Sequence, residues 1–264
     1  GEFPSLIHPK RVRSNFLRAS GDPAGAEENE RAIANHIAHM EHRRFLLVGH
    51  PRCGTGFAAG LLRQCGLDIG HESDGADGLS SWMFAGTGIA PYAQARVART
   101  RLALAWDHLI QPVRDPVAAV PSIVRDSRHA PPSYDYRRQE ILKATGLDLD
   151  NAASEVDAAV LSLTAWDDMI AALRPALSFR IEDDAASVVA FLARVGVDGL
   201  PDPASLDLAP RNADKPYKGV RYPKPVLSAA DWGALPVESK ARLQRYCHRH
   251  GYALPAGLCS VTAS

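Results

Sequence analysis

Apolar positions along the chain switch between short unbroken runs and helical spacing. The run Phe45-Leu46-Leu47-Val48-Gly49 has no polar residue, the mark of a strand buried on both faces. Beyond a glycine-rich loop, Phe57, Leu61, Leu62 and Cys65 fall on one helical face, and Gly66 follows where a helix C′ glycine belongs. A second strand is expected over 107–113 and a third over 176–183. Asp115 and Pro116 supply an N-cap and a first-turn proline for a helix in which Pro121 costs one hydrogen bond. Further helices are expected over 30–40 (Ile33, Ile37, Met40), 151–173 (Val156, Val160, Leu163, Met169, Ile170), 187–196 and 237–251. Residues 128–150 and 200–227 show no clear period.

Strands alternating with helices predict an α/β chain: a single three-layer domain over 29–264 around a mainly parallel central sheet. Residues 1–28 read as a flexible arm ahead of it. Ligands in such sheets bind beyond the carboxyl ends of the strands, and the 45–57 unit lies at one of them.

Charge sharpens this picture by exclusion. Thirty Lys and Arg balance thirty Asp and Glu, so no overall field favours nucleic acid or an anionic membrane, and any anion site must be local. No apolar run approaches the roughly 18–20 residues of a membrane span. No apolar secretory segment opens the sequence either, so a cytoplasmic protein is expected. Cys53, Cys65, Cys247 and Cys259 form no CxxC pair and have no histidine at zinc-ligand spacing, so reduced thiols and no metal are expected.

The local anion site is legible in PRCGTGF (51–57). Backbone N–H groups of a glycine loop, with the helix N-terminus behind them, favour negative charge. Gly54 and Gly56 permit close approach, Thr55 adds a hydroxyl, and Arg52 adds a guanidinium fork suited to phosphate or sulfate oxygens. A plain strand-to-helix turn with a solvated arginine is the bland alternative. A magnesium-dependent P-loop kinase would want Gly-Lys-Ser/Thr at the end of this loop, and the lysine is absent. Downstream, VRDPVAAVPS (113–122) places Arg114 at a strand end and Ser122 about two helical turns later, a spacing that lets both reach one anion.

Together the two segments resemble the cofactor signature of sulfotransferases that use 3′-phosphoadenosine 5′-phosphosulfate (PAPS). PRCGTGF resembles that family's P-[KR]-x-G-[TS]-[TS] phosphosulfate loop, and VRDPVAAVPS its 3′-phosphate segment, in the same order. SFRIEDD (178–184) and DWGALPVESKARLQRYCHRHGY (231–252) resemble two later family patterns, so the likeness covers about 43–252. It implies a P-loop-like loop in which Arg52, Cys53, Gly54, Thr55, Gly56 and Phe57 hold the 5′-phosphosulfate. It also implies that Arg114 and Ser122 bind the 3′-phosphate, with Lys218 and Arg221 as candidates from a late basic loop. No metal is implied. Gly56 departs from the pattern: the family carries Thr or Ser there, so a hydroxyl contact is missing.

GLDIGHESDG (66–75) resembles the Gly-x-Glu segment of protein-tyrosine sulfotransferases, which implies Glu72 as general base; His71, with a pKa in the right range, is the alternative. Trp82, Tyr134 and Tyr136 are candidates for lining an acceptor pocket, with packing the alternative for Trp82. His108 reads as a core histidine. The acceptor expected is a small molecule, carbohydrate, lipid or peptide. An ATP-dependent kinase and a non-catalytic nucleotide-binding protein of the same fold remain as alternative functions.

Overall fold

The side chains of the first strand explain why its sequence is apolar without a break. Phe45 and Leu47 enter one buried cluster, and Leu46 and Val48 enter another on the opposite face. The computed structural model describes residues 41–86, 104–209, 217 and 219–258, with positions 24, 25, 27, 28 and 31. Its elements are β1 (Glu41–Leu47), α1 (Thr55–Gln64), β2 (Ile69–His71), β3 (Gly78–Ser80), a 3₁₀ turn (Trp82–Ala85), β4 (Leu104–Val113), α2 (Pro116–His129), α3 (Pro131–Thr145), α4 (Glu155–Ala172), β5 (Leu177–Arg180), α5 (Ala185–Arg194), α6 (Ala229–Gly233) and α7 (Val237–His250). The helix expected over 30–40 lies largely outside the described residues.

The five strands form one sheet in the order β2-β3-β1-β4-β5, and every neighbouring pair is parallel. Residues of α1 and α5 pack with Phe45, Leu47, Ile110 and Phe179 on one face; those of the 3₁₀ turn, α3 and α4 pack with Leu46, Val48, Leu79 and Leu109 on the other. Helices thus cover both faces, as a parallel sheet requires. A third cluster joins α2, α4 and α7 through Ile123, Leu163, Leu243 and Tyr246.

From β1 the chain leaves toward β2 and β3, and from β4 it leaves toward β5 on the other side. The strand order therefore reverses between β1 and β4. That is the place where loops diverge and leave a crevice beyond the strand ends.

Three elements differ from the sequence expectation. β2 and β3 have three residues each, too short to show a period, and arise from pairing onto β1 through Phe45↔Gly78 and Leu47↔Ser80. α3 is helical although residues 128–150 carry no apolar stripe. Its buried face holds Arg137 and Glu140, stabilised by Arg137–Asp126 at 3.4 Å and Lys143–Glu140 at 2.8 Å. Tyr136 and Ile141 dock the helix on the core, and charge pairing completes its buried face. α2 begins as expected, with Asp115 Oδ1 accepting from Val117 N at 2.8 Å, and it continues through Pro121. The carbonyl deprived by Pro121 belongs to Val117, whose side chain is 50% exposed, so water can serve it.

Candidate functional site

The loop after β1 is locked in place before it reaches its half-buried residues Arg52 and Gly54. Val48 N donates to Ile110 O at 2.9 Å, and at Gly49 a Cβ would stand 2.9 Å from Pro112 O. His50 is buried with Nε2 3.0 Å from Ser162 Oγ. Burial, then the charge of Arg137, holds its pKa well below 6.5, so the ring is neutral. Cys53 N closes the turn on His50 O at 2.9 Å.

Arg52 has φ 79° and Gly54 has φ 89°. Gly54 is the N-cap of α1 and provides no side-chain cap, so the first N–H groups of α1 are left to a ligand or water. Gly54 is required twice over: its φ is left-handed, and a Cβ would meet Ile181 Cδ1 at 2.8 Å. Thr55 is buried, and its carbonyl accepts from Ser80 Oγ at 2.8 Å. Gly56 is half-buried in the first turn. The side chains of Cys53 and Phe57 belong to core clusters, so only their backbone can face a ligand. Burial pushes the Cys53 thiol up to about 12, which keeps it protonated.

The two predicted anchors meet. Arg52 Nε donates to Ser122 Oγ at 3.0 Å, and Arg114 Nη1 donates to Arg52 O at 2.9 Å. The weaker sequence matches meet behind them. Asp115 N donates to Glu182 Oε1 at 3.0 Å, and Tyr252 OH donates to Glu182 Oε2 at 2.9 Å. Tyr246 OH donates to Arg114 O at 2.8 Å. Glu182 and the C-terminal tyrosines thus fix the backbone that carries Arg114.

The base candidates lie on the other side of the loop. His71 Nε2 is 3.4 Å from Thr55 Oγ1 and 4.0 Å from Glu72 Oε1. Ser81 Oγ donates to Glu72 Oε2 at 2.6 Å. Glu72 has φ 53°. Among the described residues three non-glycine positions have positive φ: Arg52, Glu72 and Arg174. Two of them carry candidate chemistry, and left-handed non-glycine residues concentrate at functional sites.

Lys218 lies outside the described residues, and Arg221 is exposed. Around them the chain adds side chains that sequence reading missed. Tyr217 OH donates to Asp126 Oδ1 at 2.8 Å, Arg125 Nη1 donates to Tyr222 O at 3.3 Å, and Tyr222 stacks on His129 with centroids 3.6 Å apart. Burial, then the Asp126 carboxylate, pushes Tyr217 up to about 12. Ser122, Arg125, Asp126 and His129 share one face of α2 at i, i+3, i+4 and i+7. That stripe was the available signal, but it is polar, and a search for apolar stripes passes over it.

Trp82 and Tyr136 are buried, in edge-to-face contact at 5.5 Å, and Trp166 lies 5.9 Å from Trp82. Tyr136 OH donates to Met83 O at 3.1 Å, and Tyr134 packs half-buried on the same cluster. These are packing positions, with Tyr134 the most open to solvent. His108 is half-buried on β4, and burial lowers its pKa. Among the described residues no helix is long and apolar enough to cross a membrane, and no His, Cys, Asp or Glu cluster has metal-binding geometry.

Compared with known proteins, the chain matches no family model, no curated protein and no solved structure.

Proposed function

We propose that this chain is a PAPS-dependent sulfotransferase, with a phosphosulfate loop of P-loop type over 51–57 in a three-layer α/β domain. The observation that carries the reading is the Arg52–Ser122 hydrogen bond at 3.0 Å. It joins the two segments whose sequences resemble the 5′- and 3′-phosphate anchors, at the point where β1 and β4 diverge. A nucleotide bearing phosphates at both ends matches such a two-part anion site better than one with a single polyphosphate chain.

In this reading the acceptor's oxygen or nitrogen attacks sulfur while the bond from sulfur to the 5′-phosphate oxygen breaks. The electron pair stays on that oxygen, which becomes part of adenosine 3′,5′-bisphosphate. Arg52 and the α1 N-terminus stabilise the charge developing there. Thr55 and the backbone of 54–57 hold the 5′-phosphate; Arg114 and Ser122, with Lys218 and Arg221, hold the 3′-phosphate. Glu72 takes the acceptor's proton, with His71 beside it. The acceptor is a hydroxyl or amine of a small molecule, carbohydrate, lipid or peptide.

A thermal-shift panel tests the reading. Adenosine 3′,5′-bisphosphate is expected to raise the melting temperature without magnesium, and ADP with magnesium is not. Stabilisation by ADP–Mg alone would replace the proposal with a kinase. Gly56, which removes a hydroxyl from the loop, favours a second reading: a non-catalytic binder of the same nucleotide. Bisphosphate binding without PAPS turnover on a broad acceptor panel would select it.

A further inference from the structure

We propose that Ser81 is a positioning residue for Glu72: its hydroxyl holds one carboxylate oxygen and so sets the direction of the carboxylate that takes the acceptor's proton in the transfer reaction. The identity of that reaction rests on the sulfotransferase reading; the coupling of Ser81 to Glu72 rests on geometry alone.

Ser81 is 0% exposed and follows β3 directly. Its N–H donates to Leu47 O at 2.9 Å, which extends the β3–β1 ladder and ties the residue to the central strand. A serine hydroxyl has one proton to give. Here Oγ accepts from Met83 N at 3.3 Å as the cap of the 3₁₀ turn, so its own proton points elsewhere. It goes to Glu72 Oε2 at 2.6 Å, the short range of hydrogen bonds to an ionised carboxylate.

The backbone of Glu72 is held by the same strand end. Glu72 N donates to Ser80 O at 3.0 Å, while Ser80 Oγ reaches back to Thr55 O at 2.8 Å. Two successive serines therefore fix both sides of the site, Ser80 the anion loop and Ser81 the carboxylate. Glu72 is left-handed at φ 53°, a conformation that persists only where surrounding contacts over-determine it. Capping Met83 needs only the lone pairs of Ser81. Its donated proton adds nothing to the cap and sets the direction of the carboxylate, on a side chain that is 28% exposed while Oε1 itself is buried.

The test follows the Glu72 carboxyl by carbon NMR across a pH titration, assigned with Glu72→Gln, in the wild-type chain, Ser81→Ala and Ser81→Thr. Removing the donor is expected to move the Glu72 titration to higher pH, and threonine, which keeps the hydroxyl, is expected to restore it. His71, 4.0 Å from Glu72 Oε1, is a titratable neighbour common to all variants, so the comparison isolates Ser81. In PAPS turnover, Ser81→Ala should shift the acid limb of the pH–rate profile the same way at unchanged KM for PAPS. Ser81→Ala combined with Glu72→Gln should be no slower than Glu72→Gln alone. An identical titration in wild type and Ser81→Ala, or effects that add in the double variant, would overturn the proposal. Bisphosphate binding separates the two levels. A moved titration in a chain that binds no bisphosphate removes the sulfotransferase reading and leaves the Ser81–Glu72 coupling in place.

Discussion

Arg52 Nε donates a hydrogen bond to Ser122 Oγ at 3.0 Å, which links the loop after β1 to the helix after β4. Ser122 is fully buried and Arg52 half-buried, so the cation of the pair is the member nearer to solvent. Removing each partner should therefore have a different consequence for binding.

Arg52→Ala should abolish sulfate transfer and weaken adenosine 3′,5′-bisphosphate by about 10- to 100-fold, since hydrogen bonds to charged groups contribute about 1.5–3 kcal/mol. Ser122→Ala removes a neutral partner and should weaken it by about 2- to 10-fold. Calorimetric titration of the two variants checks the order; equal losses would show that Arg52 acts only through Ser122.

Glu72→Gln keeps the shape of the side chain and removes the proposed base. Turnover should fall about 10²- to 10⁴-fold, with bisphosphate binding within about twofold of wild type. Near-full turnover in Glu72→Gln with loss in His71→Gln would transfer the role of base to His71.

Gly54→Ala should destabilise the protein and distort the loop after β1. Holding alanine at φ 89° costs about 1–2 kcal/mol, and its Cβ must also displace Ile181 from 2.8 Å. In a double-mutant cycle by urea unfolding, Ile181→Ala should relieve the steric part and leave the backbone part. The combined loss should thus be smaller than the sum of the single losses.

His50 should make stability fall in mild acid. Its folded-state pKa lies below that of the unfolded chain because burial and Arg137 oppose the charged ring. The unfolded state then binds more protons below about pH 6.5. The stability contributed by neutral His50 is full above that pH and is lost as pH falls through it, by at most about 1.4 kcal/mol per pH unit. Urea midpoints at pH 7.5, 6 and 5 should decline more steeply in wild type than in His50→Gln, and parallel declines would refute this.

The long, strongly patterned elements were legible from residues alone. β1 was visible because a strand covered on both faces has no polar position. α2 was visible because Asp115 and Pro116 mark a helix start in any tertiary setting. Gly54 and Arg52 stood out because a loop that approaches an anion needs a residue without Cβ and a cation. By contrast, α3 and the polar face of α2 were invisible, because Arg137, Arg125 and Asp126 are buried with partners on other segments: Arg137 with Asp126, Asp126 with Tyr217, and Arg125 with Tyr222 O. The aromatic trio divided for the same reason. Whether Trp82 faces a ligand or Trp166 depends on where α4 docks, which no local pattern encodes.

The sequence by itself determined the alternation of strands and helices, the residue types of the loop after β1 and the absence of an overall charge bias. Each of these depends on local backbone preference or on composition. Only the tertiary structure decided that Arg52 meets Ser122, that Glu182 and Tyr252 buttress Arg114, and that Ser80 and Ser81 bind Thr55 and Glu72 into one unit. Those contacts depend on strand order and register. Pairing Leu47 with Ser80 sets which side chains arrive together at the end of the sheet, and that pairing is chosen by the whole core at once.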